Sequence, residues 1–171
     1  MKDKKVLVLI DWDNLFICLC NRFGAEIRLE YRIQKLLEWV QSQIGEILKG
    51  YGFVFAPEHL ADFYQKLCTE NNLRLMICPK RQTDGKEEDT VDATLIWFAR
   101  LMMRHPDVGY ICLVAGDDDY VAMMKEAGLC GIKRVLAPPT IGSLSKNKKL
   151  VATADKHPTT LKKMLLRIDT L

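Results

Sequence analysis

Residues 5–14 read KVLVLIDWDN, a run of five apolar residues, Val6 to Ile10, that ends in Asp11. A short apolar run rich in β-branched residues is typical of a strand buried on both faces of a parallel sheet. The acidic residues follow at once, where such a strand would leave the core and meet solvent. This stretch therefore predicts the fold class and also the place to look for polar chemistry.

Further apolar runs alternate with amphipathic patterns along the rest of the chain. The other predicted strands are 53–56, 73–78, 110–115 and 132–137. The predicted helices are 31–49, 58–70, 90–104, 120–127 and 159–168. Alternating strands and helices indicate a three-layer α/β/α fold of Rossmann-like type. We expect a mostly parallel five-stranded sheet in the order 3-2-1-4-5, with residues 138–149 as an exposed basic loop.

Length and composition point to one globular domain over residues 1–171. Of the 171 residues, 49% are hydrophobic and 27% are charged, which is enough apolar material for a core. No apolar run approaches the roughly 20 residues of a membrane span, so we expect no membrane partner. The formal charge of +3 neither predicts nor opposes a nucleic-acid partner. The six cysteines lack metal-ligand spacing and are expected to be buried thiols of a cytoplasmic protein.

Two acidic clusters follow predicted strands. Asp13 and Asn14 come just after Asp11, and residues 117–119 are three aspartates after the strand at 110–115. Ligands of open α/β sheets gather at the carboxyl ends of strands, and like charges clustered there are costly without a cation. Each cluster taken alone could instead cap the following helix, which is the commoner role of such residues.

A third acidic stretch opens the helix before the fourth strand. Asp89 and Asp92 suit the N-cap and first turn of that helix, which is the structural alternative. A right-handed crossover would bring the helix start to the same sheet edge as Asp11 and Asp117. Three converging carboxylates, without cysteine or histidine nearby, favour Mg²⁺ or Mn²⁺ over zinc.

The motifs in this order resemble the NYN domain family, in particular its LabA-like branch within the PIN-like nuclease group. The first is a strand ending in D-x-x-N, at residues 11–14. The second is a helix that opens near a V-D pair, residues 91–92, after a loop containing Lys86. The third resembles S-G-D-x-D-[FY], read here as AGDDDY at 115–120, and a late A-D pair lies at 154–155. The resemblance extends from about residue 6 to 155.

What the resemblance implies is a metal-dependent ribonuclease that hydrolyses phosphodiester bonds of single-stranded RNA. The ligands of one or two Mg²⁺ or Mn²⁺ ions would be Asp11, Asp92, Asp117 and Asp119. Asn14 would hydrogen-bond the substrate or a water molecule. The chain departs from the family pattern at Ala115, which replaces a serine, and at Phe98, where a second acid is often found.

Basic residues near the same sheet edge are candidate RNA contacts. They are Lys80, Arg81, Lys86, Lys146, Lys148 and Lys149. Such side chains bind phosphates without reading sequence, although each one alone could simply be a solvated lysine or arginine. Trp12 or Tyr120 could stack on a base, but core packing is the favoured interpretation of both.

Two other functions remain open at this point. Asp11-Trp12-Asp13 also resembles the D-x-D motif of haloacid-dehalogenase-like phosphatases, although Leu15 and Val121 depart from that pattern and Asp92 would have no role. Alternatively, the chain could be a catalytically weak scaffold that binds RNA or a protein. Self-association into a homo-oligomer is also left open.

Overall fold

The strand that begins the chain lies in the middle of a five-stranded parallel sheet. The computed structural model describes residues 4–55, 58–140, 142–143, 148–157, 159–160 and 162–171. The sheet strands are β1 (Lys5–Asp11), β2 (Ile47–Val54), β3 (Leu73–Ile77), β6 (Val108–Val114) and β7 (Lys133–Leu136). They are ordered β3-β2-β1-β6-β7. The α/β class with a parallel five-stranded sheet is confirmed, and the numbering differs from 3-2-1-4-5 because a hairpin precedes β6.

Helices cover both faces of the sheet. Alternate residues of β1 point to opposite sides: Val8 packs in one core cluster and Leu9 in the other. The first cluster includes side chains of α1 (Trp12–Phe23), α2 (Leu29–Trp39) and α3 (Glu58–Glu70). The second includes side chains of α4 (Val91–Met102), α5 (Val121–Leu129) and α6 (Lys148–Thr153). Among the described helices, none is both long and apolar enough to cross a bilayer.

The predicted helix 31–49 is wrong only over its last residues, 45–49. Helix α2 ends at Trp39, a π-helical turn covers Val40–Ile44, and β2 begins at Ile47. The helical spacing of apolar residues in α2 continues by coincidence into β2. The glycines at 50 and 52 also make the sequence of β2 look less like a strand. Gly52 is needed because the ring of Trp12 lies against it: a Cβ there would be 1.9 Å from the indole nitrogen.

The predicted closing helix, 159–168, is also wrong for its described residues. This segment covers the outer edge of β7: the Leu136 N–H donates to the Met164 carbonyl at 2.9 Å, and the Leu166 N–H to the Leu136 carbonyl at 3.0 Å. An edge strand leaves backbone groups unpaired, and here the C-terminal segment pairs with them. Residues 138–140 are buried beneath it rather than forming part of an exposed loop, and Lys146 lies outside the described residues.

A two-stranded hairpin, absent from our prediction, lies between β3 and α4. It consists of β4 (Arg81–Thr83) and β5 (Lys86–Glu88), paired antiparallel. Asp84 and Gly85 form its turn with φ of 51° and 75°. An Asp-Gly pair with two positive φ angles suits a two-residue hairpin turn, so this dipeptide was the available signal.

The cysteines are free thiols with different degrees of burial. Cys68, Cys78 and Cys112 are buried, and Cys18 and Cys20 are half-buried. Cys130 is exposed, so the expectation of a buried thiol is wrong there. It follows α5 directly, at a helix end that faces solvent.

Candidate active site

Asp11 lies at the carboxyl end of the central strand and is almost completely buried. Its side chain is 4% exposed, and its Oδ1 accepts a hydrogen bond from the Asn14 backbone N–H at 2.9 Å. It is thereby the N-cap of α1, whereas the sequence suggests Asp13 or Asn14 for this role. Burial raises the pKa of Asp11 to about 7, and the nearby charges of Asp92 and Asp13 add to the effect.

The hydroxyl of Tyr120 joins Asp11 to Asp92. It lies 2.7 Å from Asp11 Oδ2 and 2.6 Å from Asp92 Oδ1. A hydroxyl has one proton, so it donates to one carboxyl group and accepts from the other, which must be protonated. Burial raises the pKa of both carboxyl groups, so either of them can hold this proton. Sequence reasoning missed this role of Tyr120, because the contact spans 109 residues of chain.

Asp92 is the second residue of α4 and has two acidic neighbours. Burial raises its pKa, and repulsion from Asp119 and Asp117 raises it further. Asp117 is the N-cap of a short 3-10 turn and accepts a hydrogen bond from the Asp119 backbone N–H at 3.2 Å. The predicted crossover thus brings Asp92 to the same sheet edge as Asp11 and Asp117.

Asn14 and Asp13 bind the ends of neighbouring strands rather than capping a helix. The Asn14 side-chain oxygen accepts a hydrogen bond from the Gly116 N–H at 2.9 Å. Asp13 Oδ2 accepts from the Phe55 N–H at 2.7 Å. The two side chains therefore connect the start of α1 with the residues that follow β6 and β2.

The other predicted caps also differ from expectation. Asp117, not Asp118 or Asp119, caps the turn before α5. Thr90 occupies the N-cap position of α4, and Asp89 contributes by accepting a hydrogen bond from the Val91 N–H at 2.8 Å. The position of a cap depends on where the chain turns, which local sequence fixes only to within a few residues.

The carboxylate oxygens of these acids suit a hard divalent cation, but the described side chains are not arranged as a complete set of metal ligands. Carboxylate oxygens are the ligands that Mg²⁺ and Mn²⁺ prefer. Asp118 Oδ1 is buried without a hydrogen-bond partner, a cost that a cation nearby would offset. Among the described side chains, however, no three carboxylate, histidine or cysteine groups lie close enough together to hold a metal ion. Instead, Tyr120 joins Asp11 to Asp92, while Asp117 and Asp119 repel Asp92.

The predicted RNA contacts lie on the surface in two places. Lys80, Arg81 and Lys86 are exposed at or beside the hairpin, where Asp84 and Glu88 place negative charges among them. The Lys80 ammonium lies 5.2 Å from the centre of the Phe55 ring. Residues 148 and 149 are exposed at the start of α6. The described positive side chains therefore belong to two different elements, the hairpin region and α6.

The aromatic candidates for base stacking are inside the protein. Trp12 and Tyr120 are both 0% exposed, so the packing interpretation is confirmed and neither ring can stack on a base from solvent. Phe98, at the position where a second acid was considered, packs against Tyr51 and Phe53 with ring centres 4.5 and 5.6 Å apart. That position belongs to the aromatic core beside α4.

The late Ala154-Asp155 pair has a structural explanation. Asp155 accepts hydrogen bonds from the Arg134 backbone N–H at 2.8 Å and from its guanidinium at 3.0 and 2.6 Å. These bonds fasten the segment after α6 to β7. Ala115, the other departure from the motif, is buried at the end of β6.

Comparisons with known proteins establish a likeness of fold. No protein-family model matches the chain, and no curated protein matches it. The fold is similar to the crystal structure of a protein of unknown function from Vibrio parahaemolyticus, with a TM-score of 0.72. The two share 18% sequence identity over 98% of this chain and 94% of the other. At this identity the likeness concerns the fold alone.

Proposed function

We propose that the protein is a Mg²⁺- or Mn²⁺-dependent ribonuclease that acts on single-stranded RNA. The observation that carries the proposal is the joining of Asp11 and Asp92 by the Tyr120 hydroxyl, with Asp117 and Asp119 close enough to repel Asp92. Clustered acids at the carboxyl edge of a parallel sheet suit a cation that meets a phosphodiester. The choice of RNA rests on the resemblance to NYN domains.

In this proposal the residues have separate roles. Asp11, Asp92, Asp117 and Asp119 would hold the cation, which supplies charge for an attack on the negatively charged phosphodiester. Asn14 orients the substrate through its amide N–H₂ group, because its oxygen is already bound to Gly116. The buried Tyr120 keeps the carboxyl groups of Asp11 and Asp92 together when no cation is bound.

The contacts of Asp11 and Asp13 favour a nuclease over a phosphatase with an aspartyl nucleophile. Such a nucleophile must reach an incoming phosphate, but Asp11 is 4% exposed and both its oxygens accept or share hydrogen bonds. Asp13, which would be the general acid, is bound to the Phe55 N–H. A trapped phosphate on Asp11 would nevertheless establish the phosphatase.

The test is incubation of labelled single-stranded RNA and DNA with Mg²⁺, Mn²⁺ or chelator. We expect RNA cleavage that needs the metal and is lost in Asp11→Asn and Asp117→Asn. Asp62→Asn, an exposed carboxylate on α3, is the matched control and should cleave like the wild type. Cleavage that survives both chelation and the Asp11 substitution would overturn the proposal. If there is no cleavage and no melting shift with metal, the scaffold is favoured.

The proposal extends to location and assembly. We propose that the protein acts in the cytoplasm, and its free cysteines agree with a reducing compartment. Formation of a homo-oligomer is to be measured by light scattering on the samples used for cleavage. Thiol labelling of the purified protein tests the redox state.

A further inference from the structure

A cleft of about 320 Å³ opens directly beside the acidic residues. Helix α1 lines it with Asn14, Cys18 and Asn21, which share one face of the helix because they are spaced by four and three residues. On the opposite side, the turn after β7 contributes Thr140 and Ser143. The end of β6 adds Asp117, so the cleft and the candidate active site have two residues in common.

The polar groups of this cleft retain unused hydrogen-bonding capacity. The Asn14 oxygen binds the Gly116 N–H, which leaves the amide N–H₂ group for a ligand. The structure gives the Asn21 amide no partner among the described residues. The hydroxyls of Thr140 and Ser143 lie 3.3 Å apart, and Thr140 Oγ1 also accepts from the Ser143 backbone N–H at 3.3 Å, both long contacts. Ser143 Oγ donates to Cys18 Sγ at 3.7 Å, and a thiol is a weak acceptor. A ligand with hydroxyl groups could therefore bind here without breaking strong bonds.

The charge of the cleft disfavours an anion. None of its described lining residues is a lysine or arginine, and Asp117 adds a negative charge. A phosphate would be repelled, whereas a neutral group that both donates and accepts hydrogen bonds suits amides and hydroxyls. The 2′-hydroxyl of ribose is such a group, and it distinguishes RNA from DNA.

We propose that this cleft binds the ribose of a nucleotide next to the cleaved bond and reads its 2′-hydroxyl through Asn21 and Thr140. The inference rests on the proposed nuclease function and names the part of the protein that selects RNA. Asn14 and Asp117 place this sugar beside the acids, and Asn21 and Thr140 line the same cleft. Selection for RNA thus arises from neutral polar side chains rather than from lysines.

The test measures equilibrium binding of three labelled oligonucleotides of one sequence. They are RNA, DNA and 2′-fluoro RNA, which keeps the ribose shape but lacks the hydroxyl donor. Ca²⁺, another cation that prefers oxygen ligands, replaces Mg²⁺ to limit cleavage. We expect the wild type to bind RNA about tenfold more tightly than the other two, as hydrogen bonds of ordinary strength allow.

Variants identify the residues that produce this preference. Asn21→Ala and Thr140→Val should each lower the preference for RNA roughly three- to tenfold. Gln34→Ala and Thr69→Val remove an amide and a hydroxyl from exposed positions on α2 and α3, and should leave the preference unchanged. Thr140 is buried, so the melting temperature of Thr140→Val is measured first. If that variant does not fold, Asn21→Ala still tests the inference, because Asn21 is exposed.

The outcomes separate this inference from the proposed function. If the wild type shows no preference, or if both variants keep it, the inference is wrong even when metal-dependent RNA cleavage is observed. If Asn21→Ala loses the preference but no metal supports cleavage, the inference stands and the nuclease proposal fails. If none of the oligonucleotides binds, the inference is wrong, and the cleavage assay decides the nuclease proposal.

Discussion

The side-chain oxygen of Asn14 accepts a hydrogen bond from the backbone N–H of Gly116 at 2.9 Å. This bond connects the first turn of α1 to the second residue after β6, across 102 positions of the chain. It lies between Asp11, which precedes α1, and Asp117, which follows Gly116. The acids at the ends of two neighbouring strands are therefore held in register by a neutral side chain and do not depend on a cation for their relative placement.

Removal of the Tyr120 hydroxyl should destabilise the protein most when no metal is present. In Tyr120→Phe, the carboxyl groups of Asp11 and Asp92 lose the bond that joins them, and a buried acid is left with one partner fewer. We expect a loss of about 1–3 kcal/mol in the free energy of unfolding in chelator. Mg²⁺ should recover part of it. Tyr31→Phe, at an exposed position on α2, is the control, and an equal loss there would contradict this explanation.

The stability of the metal-free protein should depend on pH through Asp11. Its pKa is about 7 in the folded protein and near 4 in the unfolded chain, so the folded state binds the proton more tightly. The stabilising contribution is fully present below about pH 4 and is lost as pH rises through about 7. Relative to Asp11→Asn, the free energy of unfolding should fall by on the order of 4 kcal/mol over this window. Urea unfolding in chelator measures it; a constant difference between the proteins would refute the assignment.

Metal binding should show the opposite dependence on pH. A cation needs the deprotonated Asp11, so binding competes with the proton that the buried carboxyl group holds. The rise in melting temperature with Mg²⁺ should be larger at pH 8 than at pH 6. Equal rises at both values would show that Asp11 is not among the groups that bind the metal.

A methyl group at position 116 should disturb the wall of the cleft. The Cβ of Gly116→Ala would lie 2.6 Å from Ser143 Cβ, so the turn after β7 must move. We expect a loss of about 1–3 kcal/mol, typical of an overpacked site. Gly142→Ala is the matched control, because among the residues that the structure describes its Cβ would meet only Thr140 Oγ1, at an ordinary 3.7 Å. The measurement is the thermal unfolding of both variants. A smaller loss of stability in Gly116→Ala than in Gly142→Ala would contradict this explanation.

Substitution of Asp155 should lower stability without affecting cleavage. Asp155→Ala leaves Arg134 without three hydrogen bonds at a half-buried position, which should cost about 1–3 kcal/mol. Glu126→Ala, which removes the exposed partner of Arg100, should change stability little. If Asp155→Ala remained fully stable but lost cleavage, Asp155 would belong to the site and not to the framework.

Local sequence was sufficient to predict the two strands that end beside the acids, whereas β2 was predicted at 53–56 and lies at Ile47–Val54. The apolar run ending in Asp11 and the one before Gly116 are each short, continuous and followed by charge, so burial alone determines where they stop. The position of Asp92 followed from the handedness of crossovers, which is a general rule of folds. The positions of these acids depend only on the order of strands and helices along the chain.

The remaining features depend on contacts between distant residues. The segment 159–168 has helical periodicity, but pairing with the edge of β7 outweighs it, and nothing in the segment itself reveals that edge. Tyr120 is apolar enough to be assigned to the core, and only the fold shows that its hydroxyl meets two carboxyl groups. The spacing of Asn14, Cys18 and Asn21 was visible, whereas the turn that faces them was not.

The buried side chain of Trp12 can report on the candidate active site through its fluorescence. Its indole ring is wholly buried against Gly52 and directly follows Asp11, while Trp97 is 63% exposed on α4. Emission from Trp12 should therefore be blue-shifted and shielded from aqueous quenchers such as iodide, in contrast to that of Trp97. The third tryptophan, Trp39, ends α2. In a background with both Trp39→Phe and Trp97→Phe, fluorescence during a titration with ions or oligonucleotides would report from one residue away from Asp11.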